Sequence, residues 1–297
     1  MSVAARSPDE LEAELATLAR AFYERAERER RWSIFEDLPW AAARARDAAR
    51  ANDAEQLAFT VETFFALEAS APALGARALE AMRISPALTS FVALWTADKS
   101  RRIVALREWL LASGRTSHAL STIERASLTA PLGAFGHELH TDDRSSARRL
   151  LFYGCLQAMV AFVTYAKHRE IARRAGDECL RTLYDFVARD DIAHARFLEA
   201  SLKLFLDQDR AGTLRDMGNV LSDFSLPGRA ALPNWESRMQ AIRGPGLDLA
   251  TFIQRVYVPV LRHLGVQRHE LLVRPAGVVK TQAKQPETGK TDTCIPK

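Results

Sequence analysis

The sequence predicts an all-α protein, and two observations support that prediction. Long segments are rich in alanine, leucine and arginine, which favour helix, and only 14 of the 297 residues are glycine. Apolar residues also recur at spacings of three and four, as at Leu11, Leu15, Leu18 and Phe22. Four of the predicted helices are about 30 residues long, or about 45 Å at 1.5 Å per residue. These features predict a four-helix bundle with accessory helices.

The predicted helices are bounded by proline and glycine. Pro86 stands at the first position of one helix and Gly114 just after its end. Gly176 separates the two longest segments, and Pro72 and Pro259 should kink the helices that contain them. The predicted helices cover 8–31, 53–82, 86–113, 116–128, 145–175, 178–206, 209–223 and 247–264. An aromatic loop is expected at 32–40.

Composition limits the classes of partner. The apolar fraction of 47% and the charged fraction of 26% are typical of soluble proteins. The formal charge is +4, and much of this excess lies in the tail from Arg274, so no concentrated basic face indicates nucleic acid. We expect no membrane partner, because no stretch approaches about 20 apolar residues. The odd cysteine count and the lack of an apolar leader favour reduced thiols and a cytoplasmic location.

Three regions are expected along the chain. Residues 1–31 form an N-terminal helix and residues 32–272 form the bundle domain. Residues 273–297 are rich in lysine, threonine, glutamine and proline, and we expect them to be a disordered basic tail.

One acid–histidine pair indicates where a site could lie. Asp191 and His194 are three residues apart, so a helix places both side chains on one face. An acid-x-x-His pair that faces the middle of a bundle is half of the motif of carboxylate-bridged di-metal proteins. The function therefore depends on whether the other half is present.

Several stretches, taken together, resemble the soluble acyl-carrier-protein desaturases, which have a ferritin-like fold. The run Trp95-Thr-Ala-Asp-Lys-Ser-Arg-Arg102 is similar to the family's Trp-Thr-Ala-Glu-Glu-Asn-Arg-His. Asp190-Asp191-Ile-Ala-His194 is similar to its Asp-Glu-Lys-Arg-His, and Phe224-Ser-Leu-Pro227 to its Phe-x-Met-Pro. Ala112-Ser-Gly-Arg115 and the segment 152–177 also match, and the resemblance covers about residues 32–270.

The resemblance implies six ligand positions for two irons, formed by four glutamates and two histidines. In this chain those positions fall on Glu68, Lys99, Arg102, Ala158, Asp191 and His194. One glutamate and one histidine are kept, and one glutamate is shortened to aspartate. The other three ligands are lost, and two of them become cations.

Charge then decides the interpretation of the central site. Unit charges about 4 Å apart interact by roughly 4 kcal/mol at an effective dielectric of about 20, so a divalent ion would be repelled by Lys99 and Arg102. The two cations would instead cancel two carboxylates. We therefore expect Lys99 and Arg102 to pair with Glu68 and Asp191, and no cofactor to be bound.

Three functions remain open. The first is a desaturase relative that binds an acyl chain on an acyl carrier protein, either as a binding protein or as a tailoring enzyme with Asp191, His194 or Lys99 as acid–base groups. The second is an active oxidoreductase with a rebuilt or mononuclear iron site on Glu68, Asp191 and His194. His137 or His140 could then replace lost ligands.

The third possible function is that of a structural partner of an active desaturase. Members of the resembled family form homodimers, so a homodimer or a heterodimer with a paralogue is expected.

Overall fold

The computed structural model describes residues 7–44, 51–114, 119–129, 143–224, 232–243 and 248–271, without the side chains at 44, 51–54 and 223. Within these ranges the regular structure is helical, so the all-α prediction is confirmed. The longer helices are α1 (Pro8–Glu29), α3 (Ala51–Ala69), α4 (Ala71–Ala81), α5 (Pro86–Ser113), α7 (Arg144–Arg174), α8 (Glu178–Gln208) and α9 (Arg210–Asp223). The shorter ones are α2 (Trp40–Arg44), α6 (Leu120–Thr129), α10 (Trp235–Arg243), α11 (Leu249–Phe252), α12 (Val258–Leu264) and α13 (Arg268–Leu271).

The hairpin of α7 and α8 is the centre of the bundle, and these two helices make the most extensive contact in the described part of the chain. Gly176 forms the turn with a φ of 69°, a conformation that disfavours other residues. Asp177 then caps α8 by accepting a hydrogen bond from the backbone N–H of Leu180 at 2.9 Å. Its other carboxylate oxygen accepts from Trp109 Nε1 at 3.1 Å, which ties α5 to the hairpin.

The helix predicted over 53–82 is in fact two helices, because the chain breaks at Ser70. Pro72 has no N–H for the carbonyl of Glu68, four residues earlier, so the helical ladder cannot continue. The predicted cause, Pro72, was correct, but the chain forms two separate helices there and not one kinked helix. Glu68 therefore lies at the last turn of α3, beside the break.

The segment predicted as one helix over 247–264 has a different interruption. Residues Ile253–Tyr257 form a π-helical turn between α11 and α12. This wider turn comes just before Pro259, whose ring would otherwise meet the carbonyl of Arg255.

Two apolar clusters pack the bundle, and a charged layer separates them. Along α5, Phe91 and Val92 belong to one cluster, and Ala105 and Leu106 to the other. The same change occurs along α8 on either side of Asp191. The residues between are ionisable and buried: Glu68, Asp98, Lys99, Arg102, Asp190, Asp191 and His194.

Two segments meet a length and composition test for membrane spans, contrary to our expectation from the sequence. They are Glu55–Ile84 and Arg144–Arg174, and 78% and 67% of their apolar windows are buried inside the structure. Core helices of soluble proteins pass the same test, so this is weak support for a membrane.

Some predictions fall outside the described residues. These are the loop with His137 and His140, most of the crossover at 225–231, and the tail at 273–297. The division of the chain at residues 31 and 272 also stays a prediction.

Candidate site at the centre of the bundle

Two cations and two carboxylates from three helices meet at the centre of the charged layer. Lys99 Nζ lies 2.9 Å from Glu68 Oε2 and 3.6 Å from Asp191 Oδ1. Arg102 Nη1 lies 2.7 Å from Asp191 Oδ1 and 3.5 Å from Glu68 Oε1. The predicted pairing of these four side chains is therefore present, and each cation contacts both acids.

Burial makes this pairing strong and its members interdependent. Arg102 and Asp191 are both 0% exposed. Burial alone would raise the pKa of Asp191, but the charges of Arg102 and Lys99 outweigh it and hold the pKa below its usual value. Burial would likewise lower the pKa of Arg102, but Asp191 and Glu68 raise it above its usual value. Removing one member would leave an uncompensated charge in the interior.

Tyr165 of α7 completes the shell of Glu68. Its hydroxyl donates to Glu68 Oε1 at 3.0 Å, and its ring stacks on Phe64 with centroids 4.5 Å apart. Burial and the nearby Glu68 charge raise the pKa of Tyr165 well above its ordinary value, so it acts as a neutral donor.

His194 has a partner that the sequence did not predict. Its Nε2 lies 3.0 Å from Asp98 Oδ2, and Arg101 approaches the same carboxylate at 3.4 Å. Burial raises the pKa of Asp98, but the hydrogen bond and charge of His194 outweigh this and lower it. The sequence did contain a signal for this contact, because Asp98 comes one residue before Lys99 in the motif that carried the resemblance.

Four buried side-chain atoms of the predicted site have no hydrogen-bond partner. They are Arg102 Nε and Nη2, Asp191 Oδ2 and His194 Nδ1. His194 Nδ1 lies 3.8 Å from the other Asp191 oxygen, beyond hydrogen-bond distance. Unpaired atoms of this kind in a native interior indicate a missing water, an ion or a functional role.

The arrangement does not fit a dinuclear metal centre of the family type. Cations contact both of the carboxylates that remain at ligand positions, Glu68 and Asp191. His194 Nε2 lies at hydrogen-bond distance from Asp98. Ala158 lies buried in an apolar cluster and offers no ligand atom. Among the described residues, no group of three or more His, Cys, Asp and Glu side chains is placed to hold a metal ion. The role of Glu68, Asp191 and His194 as ligands stays a prediction.

An apolar cavity of about 50 Å³ adjoins the charged layer. Glu68 and Lys99 are the charged residues of its lining, and Val160 and Ala161 of α7 lie among its apolar lining. Of the three predicted acid–base groups, only Lys99 reaches this cavity. Asp191 and His194 do not line it and are 0% exposed, so in this arrangement neither contacts a molecule bound there.

Helix α10 covers the outer side of this cavity through Met239 and Ile242. A second buried ion pair holds it in place: Arg238 Nη2 lies 3.1 Å from Glu62 Oε2, and both residues are at most 3% exposed. The Arg238 guanidinium also lies 4.2 Å above the ring of Phe59. The sequence analysis did not predict this helix.

The fold is similar to that of solved metal-containing proteins. Two point mutants of an R2-like ligand-binding oxidase, each with an aerobically reconstituted Mn/Fe cofactor, match it at 15% identity. The TM-scores are 0.54 and 0.51, and the matches cover 85% of this chain and 92% and 93% of the neighbours. This likeness confirms the ferritin-like bundle.

The same comparison corrects one prediction. We expected no cofactor, and the comparison contradicts that expectation, because both neighbours carry a Mn/Fe cofactor. The expectation was wrong because it considered only the charges of Lys99 and Arg102. It gave no weight to Asp191 Oδ2 and His194 Nδ1, two buried atoms that have no hydrogen-bond partner.

The sequence itself places the chain in a family. No curated protein matches it. The family model described as fatty acid desaturase matches residues 79–264, more than half of the chain, including α5, α7 and α8. The charged layer and the adjoining apolar cavity lie largely on these helices, and the chain belongs to this fatty acid desaturase family.

Proposed function

We propose that this chain binds a fatty acyl chain delivered on an acyl carrier protein. The observation that carries the proposal is the apolar cavity beside the charged layer, in the core of a desaturase-family bundle. Apolar pockets with a few polar groups are the usual binding sites for small ligands. The charged layer would form the inner limit of the bound chain.

The dimensions of the cavity specify what must move. Its volume of about 50 Å³ has room for only the end of an acyl chain. A longer chain needs the cavity to open on the side that α10 covers. Met239 lies on that side, and its unbranched thioether side chain adapts readily to a new neighbour. We therefore infer that the acyl chain enters beneath α10.

Filling the cavity tests this function. Ala161→Phe places a ring in the space that the chain would occupy. We expect the affinity for palmitoyl-loaded acyl carrier protein, measured by calorimetry, to fall at least tenfold, or about 1.4 kcal/mol. Unloaded carrier protein shows how much of the affinity comes from the carrier itself.

Ala166→Phe is the matched control. It lies on the same helix, is half-buried and does not line the cavity. Circular dichroism should show both variants folded. Unchanged affinity in Ala161→Phe, or an equal loss in both variants, would contradict acyl binding in this cavity.

A single metal ion at the charged layer is the second candidate, because Asp191 Oδ2 and His194 Nδ1 are buried and without hydrogen-bond partners. With Glu68 they give two carboxylates and one imidazole, a ligand set that suits one iron. Glu68 is held by Lys99 at 2.9 Å, so it would first have to be released. Such an ion would supply redox chemistry beside the acyl chain.

Metal content distinguishes this candidate. We expect Lys99→Met to raise the iron and manganese bound per chain above the wild-type amount, because it frees Glu68. His194→Gln should lower it to the background of a protein without the site. Metal content that does not depend on His194 would contradict a site at this position.

A further inference from the structure

A second and larger cavity lies between α1 and α8. Its volume is about 310 Å³, within the range of small-ligand sites. Four arginines line it, Arg25, Arg30, Arg189 and Arg196, and Glu29 is the only acid among its lining residues. Phe22 and Phe197 form part of its apolar wall. Basic and apolar groups therefore face the same space.

Arg30 is the buried cation of this cavity. It is 6% exposed, and none of its three guanidinium nitrogens has a hydrogen-bond partner. Asp190 is 4.0 Å away, at the limit of an ion pair, and the guanidinium lies 4.3 Å from the ring centroid of Phe22. Burial lowers the pKa of Arg30, and Asp190 only partly offsets this. A bound anion would satisfy these nitrogens.

Arg189 comes directly before Asp190 of the charged layer in the sequence, but its side chain lines the cavity instead. Two of its buried nitrogens, Nε and Nη2, have no hydrogen-bond partner. Its guanidinium carbon lies 5.1 Å from the ring centroid of Phe186. The exposed side chains of Arg25 and Arg196 add positive charge at the opening of the cavity.

We propose that this cavity binds a phosphorylated small molecule, with its phosphate against Arg30 and Arg189 and an apolar portion against Phe22 and Phe197. Guanidinium groups bind phosphate through paired N–H donors, and these two have donors free. Glu29 and Asp190 offset two of the four cations. The remaining double positive charge matches a phosphate monoester better than a carboxylate.

Phenyl phosphate is the probe, with benzoate, phenol and inorganic phosphate as comparisons, all by calorimetry at pH 8. We expect phenyl phosphate to bind wild-type protein at least tenfold more tightly than benzoate or inorganic phosphate. Phenol should give no saturable binding. In Arg189→Gln the affinity for phenyl phosphate should fall at least tenfold, because two free donors are removed.

Arg20→Gln is the matched control on α1, since Arg20 is exposed and pairs only with Glu24 within its own helix. It should bind phenyl phosphate as the wild type does. Equal affinity in wild type and Arg189→Gln, or no binding to the wild type, would overturn the site. Equal affinity for benzoate would overturn the choice of phosphate, and equal affinity for inorganic phosphate would overturn the apolar half. None of these results depends on acyl binding.

Discussion

Buried positive charge occurs in two places in this molecule, and the two differ in how it is satisfied. At the centre of the bundle, Arg102 lies 2.7 Å from Asp191 and Lys99 lies 2.9 Å from Glu68. In the cavity between α1 and α8, the guanidinium of the buried Arg30 has no hydrogen-bond partner, and Asp190 lies 4.0 Å away. The two regions adjoin on α8, where Asp191 belongs to the first and Arg189 lines the second.

The difference shows that a buried cation is not by itself a sign of a binding site. Where carboxylates surround it, the charge is internal and the network resists change. Arg102 also has two donors without a hydrogen bond, but two acids contact it closely. Where no acid makes such a close contact, as at Arg30, the protein holds an energetic cost that an outside anion can relieve. The free energies of unfolding of variants in each region measure how far the two regions differ.

The largest effect is expected at the centre. Asp191→Asn keeps the shape of the side chain but leaves Arg102 and Lys99 with Glu68 alone. We expect the free energy of unfolding to fall by about 3–5 kcal/mol, because a buried charge loses its partner. Urea unfolding of chelator-treated protein measures this. Asp185→Asn on the same helix removes an exposed partner of Arg169 and should cost about 1 kcal/mol or less.

The buried ion pair of Arg238 and Glu62, which holds α10 in place, should be as sensitive to mutation as the central ion pairs. Arg238→Ala removes a buried cation that lies 3.1 Å from the Glu62 carboxylate, so we expect a loss of about 3 kcal/mol in the same assay. Arg243→Ala changes an exposed arginine of the same helix and should stay within about 0.5 kcal/mol. If both variants unfold alike, the Arg238 pair does not stabilise the helix.

His168 shows what a buried base does when no acid lies beside it. Burial lowers its pKa to about 4, and its Nε2 makes only a long contact of 3.4 Å with the carbonyl of Ile242. The unfolded chain binds the proton more readily, so stability should fall as the pH drops from about 6.5 to 4. The total loss is about 3 kcal/mol.

Unfolding at a series of pH values measures this loss. His168→Gln should remove most of the slope in that window, and an unchanged slope would assign it to other groups. Arginine does not lose its proton in proteins, so Arg30 keeps its charge in a similar buried environment.

The smallest effect is expected in the arginine cavity. Arg189→Gln removes a cation whose Nε and Nη2 have no hydrogen-bond partner among the described residues, so the free energy of unfolding should change by no more than about 0.5 kcal/mol. A loss comparable to that of Asp191→Asn would show that the two regions are alike and that the contrast is wrong.

Helical periodicity and end signals predicted the main elements well. Gly114 and Gly176 mark the ends that they were expected to mark, and Pro86 begins α5. Proline alone did not give the form of the interruption, since Pro72 separates two helices and Pro259 follows a π turn. Which of these forms is adopted depends on what packs against the segment, which no local pattern contains.

The central pairing was predictable because the resemblance to the desaturases placed two cations and two acids at ligand positions of one site. The contact of Asp98 with His194 was missed, although Asp98 comes one residue before Lys99 on the same helix. The approach of Arg30 to Asp190 depends on where α1 packs, which only the folded structure gives. The arginine cavity was missed because the residues that line it from α1 are more than 150 positions away from those on α8.

The most direct test of the account is a double-mutant cycle between Arg102 and Asp191. Arg102→Met and Asp191→Leu should each cost about 3–5 kcal/mol in urea unfolding, and the double variant should cost no more than either alone, because no charge is then left unpaired. That result would show that the cation and the carboxylate hold each other at the centre of the bundle. Costs that simply add would contradict it.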